Sequence, residues 1–172
     1  MIILFLGHSL IEFFDWQGRF PEHRVANLGV AGETVEGLLS RLKGIIKANP
    51  HADLVFVMTG INNVAMEDFD FLDPCREIIA RLASAYPNAK IYLHSLLPTL
   101  VDFIDNGAVR AVNISIKKLA EDTGAGFIDL YRHFVDEQGM PVRGYLLDDG
   151  VHLTDSGYEV WAGVIEEIIA HL

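Results

Sequence analysis

Cysteine is almost absent from this chain of 172 residues. Cys75 stands alone, which excludes an internal disulfide, lies outside any metal-ligand spacing, and reads as a small buried hydrophobe on a helix. Basic residues are scarce as well. Thirteen Lys and Arg face twenty-four Asp and Glu, a formal charge of −11. A field of that sign repels phosphate backbones and anionic membrane surfaces, which argues against nucleic acid and favours a small, neutral or weakly charged partner. Long hydrophobic runs are missing too. Met1 to Leu6 is apolar, but it is far too short to span a bilayer, lacks a basic leader and reads as a strand. No integral membrane association is expected, and the cytoplasm is the expected location.

What is present is an ordinary globular composition, 51% apolar and 22% charged, in a length that suits one domain over residues 1–172. Short apolar runs recur at Ile2 to Leu6, Val25 to Leu28, Leu54 to Met58, Ile91 to Leu93 and Gly126 to Leu130. Because they are continuously apolar and do not alternate, they read as strands covered on both faces. Between them lie amphipathic segments. Leu38, Leu39, Leu42, Ile45 and Ile46 share one helical face; Ile78, Ile79, Leu82 and Ala83 share another; Val112, Ile116, Leu119 and Ala120 share a third. Thr154 reads as the N-cap of a closing helix carrying Tyr158, Trp161, Ile165, Ile168 and Ile169. The alternation predicts an open, five-stranded parallel α/β sheet with right-handed crossovers, whose active groups gather beyond the carboxyl ends of the strands. No linker, repeat or second domain is visible. The longest irregular stretch, Arg132 to Val151, is a candidate functional loop.

Three residues carry the chemistry. Ser9, in Gly7-His8-Ser9-Leu10, follows the first strand at the start of a helix, where free backbone amides favour developing negative charge. Asp149 and His152, in Asp149-Gly150-Val151-His152, stand just before the last helix. A serine that cleaves esters needs a base for its proton and a carboxylate to orient that base. Two further blocks end strands. Asn27 to Thr34 contains Gly32, whose amide is free to face an acyl oxygen, and Thr59-Gly60-Ile61-Asn62-Asn63 contains Asn62, whose side-chain amide supplies a second donor. Of the other histidines, His23, His51 and His171 read as solvated, and His94, at a strand end beside Ser95, is a candidate pocket residue. Phe13, Phe14 and Trp16, with Leu96, Leu97 and Val151, read either as an apolar wall or as core.

In order and spacing the four blocks resemble the SGNH, or GDSL, hydrolases over nearly the whole chain, most closely their compact lysophospholipase-like and platelet-activating-factor acetylhydrolase-like branch. The resemblance implies a three-layer α/β/α flavodoxin-like sandwich and a serine esterase. Ser9 is then the nucleophile, His152 the base and Asp149 its orienting carboxylate, with an oxyanion hole formed by the Ser9 and Gly32 amides and the Asn62 side chain. Leu10, Asn63 and Val151 are expected to touch the substrate. It implies a small-molecule ester substrate, with no metal or organic cofactor. Two positions depart from the family pattern, His8 and Asn63, where aspartate is usual. His8 is a poor rival base, because neighbouring residues leaving a strand point to opposite sides. With no spare residues for a lid, the chain is expected to have an open site and to take short acyl groups. The same blocks also suit an acyltransferase that passes the acyl group to a sugar hydroxyl, or a binding protein whose activity was lost through the two departures. A receiver or a flavin-binding module fits poorly. Gly7-His8-Ser9 and Thr59-Gly60 lack a receiver's acidic residues, and Ser9 alone does not make a phosphate loop.

Overall fold

The computed structural model describes residues 1–172. Strands β1 (Ile2–Gly7), β2 (Arg24–Gly29), β3 (Leu54–Met58), β4 (Lys90–His94) and β5 (Gly126–Ile128) form one sheet in the order β2-β1-β3-β4-β5, with every pairing parallel. The helices are α1 (Ser9–Glu12), α2 (Trp16–Arg19), α3 (Val35–Ala48), α4 (Ile61–Ala65), α5 (Leu72–Ala85), α6 (Asn106–Thr123) and α7 (Asp155–Ala170). This is the three-layer α/β/α arrangement expected. The period-two geometry of a strand sends Leu4, Leu6, Val55, Val57, Ile91 and Leu93 into a core shared with α3, α5 and α6. The intervening Ile3, Phe5, Leu54, Phe56 and Met58 face α1, α2 and α7. On that second face the Phe5 ring stacks on Trp16 and Phe56, and Trp16 meets Trp161 edge-on. All four are fully buried, and burial of a side chain such as Phe5 or Phe56 contributes roughly 2–3 kcal/mol.

Some local expectations shift. Ala83 is exposed, and Leu39 and Ile46 are only half-buried, so the helix stripes are narrower than their apolar residues suggest. The fifth strand stops at Ile128, because the Leu130 amide turns back to the Ile128 carbonyl and a 3-10 turn follows at Tyr131–His133. The stretch from Arg132 to Val151 is not shapeless. It holds a second 3-10 turn, Arg143–Tyr145, and two antiparallel bridges, Val135 with Pro141 and Leu146 with Leu153. No helix is long and apolar enough to cross a membrane.

The strand order fixes where chemistry can happen. From β1 the chain first winds to β2 on one side and then crosses to β3 on the other, so the loops after β1 and β3 diverge and leave a crevice at the carboxyl ends. Ser9 opens α1 on the first of these connections, and Asn62 lies in the first turn of α4 on the second. Gly7 makes the tight exit from β1 possible: a Cβ there would stand 2.0 Å from the Met58 carbonyl oxygen on β3.

Candidate active site

Ser9 opens α1 directly beyond β1, with His8 as the helix cap. The short helix is pinned from three sides. The Asn27 side chain donates to the carbonyls of Ile11, Glu12 and Phe14, the Tyr158 hydroxyl donates to the Leu10 carbonyl, and the Trp16 indole donates to the Ile11 carbonyl. These bonds hold the backbone around the serine rigid, as a nucleophile would require.

Across the crevice, Asp149 and His152 form a closed local unit. One carboxylate oxygen of Asp149 accepts from the amides of Val151 and His152, both at 2.9 Å, and the other meets His152 Nδ1 at 2.7 Å. Gly150, between them, has φ 74°, a conformation that lets the turn close so tightly. Burial alone would raise the Asp149 pKa, but the two amides and the imidazole outweigh it and bring it down to about 2. The residue is therefore ionised throughout the physiological range. With Nδ1 engaged by the carboxylate, Nε2 is left facing Ser9 Oγ at 3.0 Å, across a separation of 143 residues. The exposed Phe13 ring lies against the imidazole, with centroids 5.3 Å apart. The His152 side chain remains 30% exposed, so water reaches it.

The expected oxyanion donors lie on separate loops. Neither the Ser9 nor the Gly32 amide donates a hydrogen bond within the protein. Gly32 has φ 75° with open space where a Cβ would stand. The Asn62 side-chain nitrogen donates to the Glu33 carbonyl at 2.9 Å, which fixes the amide and leaves its second N–H unused. Glu33 in turn is gripped by the Arg41 guanidinium, which also donates to the Leu28 carbonyl at 2.7 Å. Glu12 reaches over to accept from the Ala31 amide. The Gly32 loop is thus tied both to α1 and to Asn62.

Of the expected substrate contacts, Leu10 and Val151 line a small cavity, together with Ile61, Leu96 and Leu97. Asn63 does not. It is fully buried; its oxygen accepts from the Val35 amide and its nitrogen donates to Glu36 and Asp68. An amide serves here because two carboxylates surround it, where an aspartate would be repelled, and Asn63 is a brace between loops rather than a substrate contact. The aromatic wall also divides: Trp16 is core, Phe14 stacks on Tyr158, and only Phe13 stands at the rim. His94 is no pocket residue. It is fully buried between Phe56 and Trp161, and burial pushes its pKa down to about 3, little offset by the Val57 backbone nearby. Cys75 is buried as expected, which raises its pKa to about 12. His8 accepts from the Leu10 amide through Nδ1 at 3.4 Å and does not pair with Ser9. Sequence reasoning missed Ile61, Thr99 and Arg41, which carry no motif of their own. The adjacency of Ile61 to Asn62 was the one available signal.

Residues 12–160 match the profile of the GDSL-like Lipase/Acylhydrolase family. The chain belongs to that family. The matched segment covers most of this GDSL-like enzyme, including Asp149 and His152, and Ser9 precedes it by three residues. The alpha2 subunit of platelet-activating factor acetylhydrolase IB from Rattus norvegicus is 25% identical, over 99% of this chain and 76% of the rat protein. Among solved structures, a Streptococcus pneumoniae protein named for platelet activating factor superposes with a TM-score of 0.89. It is 25% identical, over 96% of this chain and 82% of that one. The acetylxylan esterase Axe2 of Geobacillus stearothermophilus has the same fold, with a TM-score of 0.76 and 21% identity over 95% of this chain and 91% of its own.

Proposed function

We propose that this GDSL-like acylhydrolase is a serine esterase that cleaves esters of small acyl groups through an acyl-enzyme. The observation that carries the reading is the unbroken line from Asp149 Oδ2 through His152 to Ser9 Oγ, at 2.7 and 3.0 Å. Ser9 attacks the ester carbonyl while His152 Nε2 takes its proton. The new oxyanion is met by the Ser9 and Gly32 amides and the free N–H of Asn62. His152 then returns the proton to the departing alcohol. Water entering beside the exposed imidazole loses a proton to the same Nε2, attacks the acyl-enzyme and releases the acid. Asp149 stays ionised and keeps the ring in the tautomer both steps need.

Small acyl groups are favoured by the size of the cavity walled by Leu10, Ile61 and Val151, the chain neighbours of Ser9, Asn62 and His152, whose volume of about 10 Å³ suits a single water. The rat relative is named an acetylhydrolase and the Geobacillus neighbour an acetylxylan esterase, in keeping with that size. The access of water to His152 supports hydrolysis over transfer. The test is turnover of p-nitrophenyl acetate by the native protein and by Ser9→Ala. A loss of about a millionfold in kcat is expected, and equal rates would refute the reading.

A further inference from the structure

The cavity lined by Leu10, Ile61 and Val151 is not wholly apolar. His8 and Thr99 also line it, and both are more than nine-tenths buried. His8 Nε2 and Thr99 Oγ1 have no hydrogen-bond partner anywhere in the protein. Buried polar atoms are rarely left unpaired unless a water or a ligand atom completes them. Both residues line the cavity whose other walls include Leu10, Ile61 and Val151, the chain neighbours of Ser9, Asn62 and His152.

The chemistry of the missing partner can be read from the donors. Nδ1 of His8 accepts from the Leu10 amide, so the ring proton sits on Nε2, and that atom is a donor. Burial, with His152 nearby adding to it, lowers the His8 pKa to about 4, so the ring is neutral at physiological pH. A neutral N–H and a hydroxyl sharing a water-sized space call for an oxygen atom that accepts from the first and pairs with the second.

We propose, building on the serine-esterase reading, that this cavity selects α-hydroxyacyl esters, with the hydroxyl of a hydroxyacetyl group seated between His8 Nε2 and Thr99 Oγ1. The carbonyl carbon bonds to Ser9 Oγ as in any acyl transfer, and the α-hydroxyl takes no part in bond making. It occupies the space of one water. A propionyl group has the same size and shape but sets a methyl against two polar groups and leaves both unpaired. Sites built to hydrogen-bond a substrate hydroxyl discriminate against its apolar isostere for this reason. The penalty for unpaired buried groups corresponds to a preference of roughly ten- to hundredfold.

The experiment compares kcat/KM for p-nitrophenyl hydroxyacetate and p-nitrophenyl propionate, each divided by its rate of hydrolysis in dilute hydroxide so that intrinsic reactivity cancels. The native protein should favour hydroxyacetate at least tenfold after this correction. Thr99→Val, which keeps the side-chain shape and leaves the α1 cap untouched, should bring the ratio toward one, and His8→Leu should do the same. A corrected ratio near one in the native protein, or a preference that survives in both variants, overturns the proposal. Ser9→Ala, run on both esters, separates the two levels. Turnover that ignores Ser9 defeats the esterase reading itself, whereas Ser9-dependent turnover without hydroxyl preference defeats only the proposal made here.

Discussion

Asp149 meets its neighbours through two oxygens with different tasks: Oδ1 ties down the turn through two amides, and Oδ2 orients the imidazole. An asparagine keeps the shape of this arrangement but offers a donor where the ring needs an acceptor. Asp149→Asn should therefore fold normally and lose about 10⁴ in kcat, with KM little changed, in steady-state hydrolysis of an acetyl ester. A loss below tenfold would show that the carboxylate does not set the tautomer. Because the Asp149 pKa is about 2, the acid side of the pH–rate profile of the native enzyme should not carry the titration of this group. The candidate residues are legible in the sequence as far as Ser9, Gly32, Asn62, Asp149 and His152 each sit in a block whose spacing points to a role, and the fold brings Ser9, His152 and Asp149 within hydrogen-bond distance. Asn63 departs from its expected place for a physical reason. Its partners Glu36 and Asp68 approach only after α3 and α4 pack, and nothing in the local sequence announces two carboxylates around one amide.

At the level of elements, the strands and the four long helices follow from apolar patterning alone, with the strand ends displaced by no more than two residues. The short helices α2 and α4 do not, because a single turn has too few residues to show a period. The cavity lined by Leu10, Ile61 and Val151 was hidden for a related reason. Its lining comes from the loops after β1, β3 and β4 and from the turn before α7, so no one segment displays it. The same loops explain the expected effect of a change far from the reacting atoms. Arg41 on α3 holds Glu33, whose carbonyl fixes Asn62 and whose neighbour is Gly32. Replacing it by methionine keeps the stem and removes the clamp. Arg41→Met should lower kcat about ten- to hundredfold, the scale for a misplaced oxyanion donor, while KM stays within a fewfold. An unchanged kcat would mean that the loop holds its shape without the ion pair.

For the molecule as a whole, two histidines buried as neutral rings couple stability to acid. His8 and His94 have pKa values near 4 and 3 in the folded protein, against 6.5 for an exposed ring. Between these values the unfolded chain holds protons that the native state lacks, so stability falls as pH drops below about 6.5. Each histidine contributes a slope of about 1.4 kcal/mol per pH unit. The contribution of His8 levels off near pH 4 and that of His94 near pH 3, and above pH 6.5 both are constant. Urea unfolding at pH 7.5 and 4.5 should show this loss, and His94→Leu should shrink it by about half. An identical loss in the variant would locate the acid sensitivity elsewhere.

The fold's larger task is to bring together two groups 143 residues apart, which it does by placing β1 inside the sheet, between β2 and β3, and laying α7 against the same face as α1. The most direct measurement of that meeting is covalent capture. The protein is treated with a fluorophosphonate, and the mass and position of the adduct are determined by intact-protein and peptide mass spectrometry. One adduct is expected, on Ser9, absent in Ser9→Ala and formed at least a hundredfold more slowly in His152→Ala. An adduct on another residue, or labelling of Ser9 at an undiminished rate without His152, would contradict it.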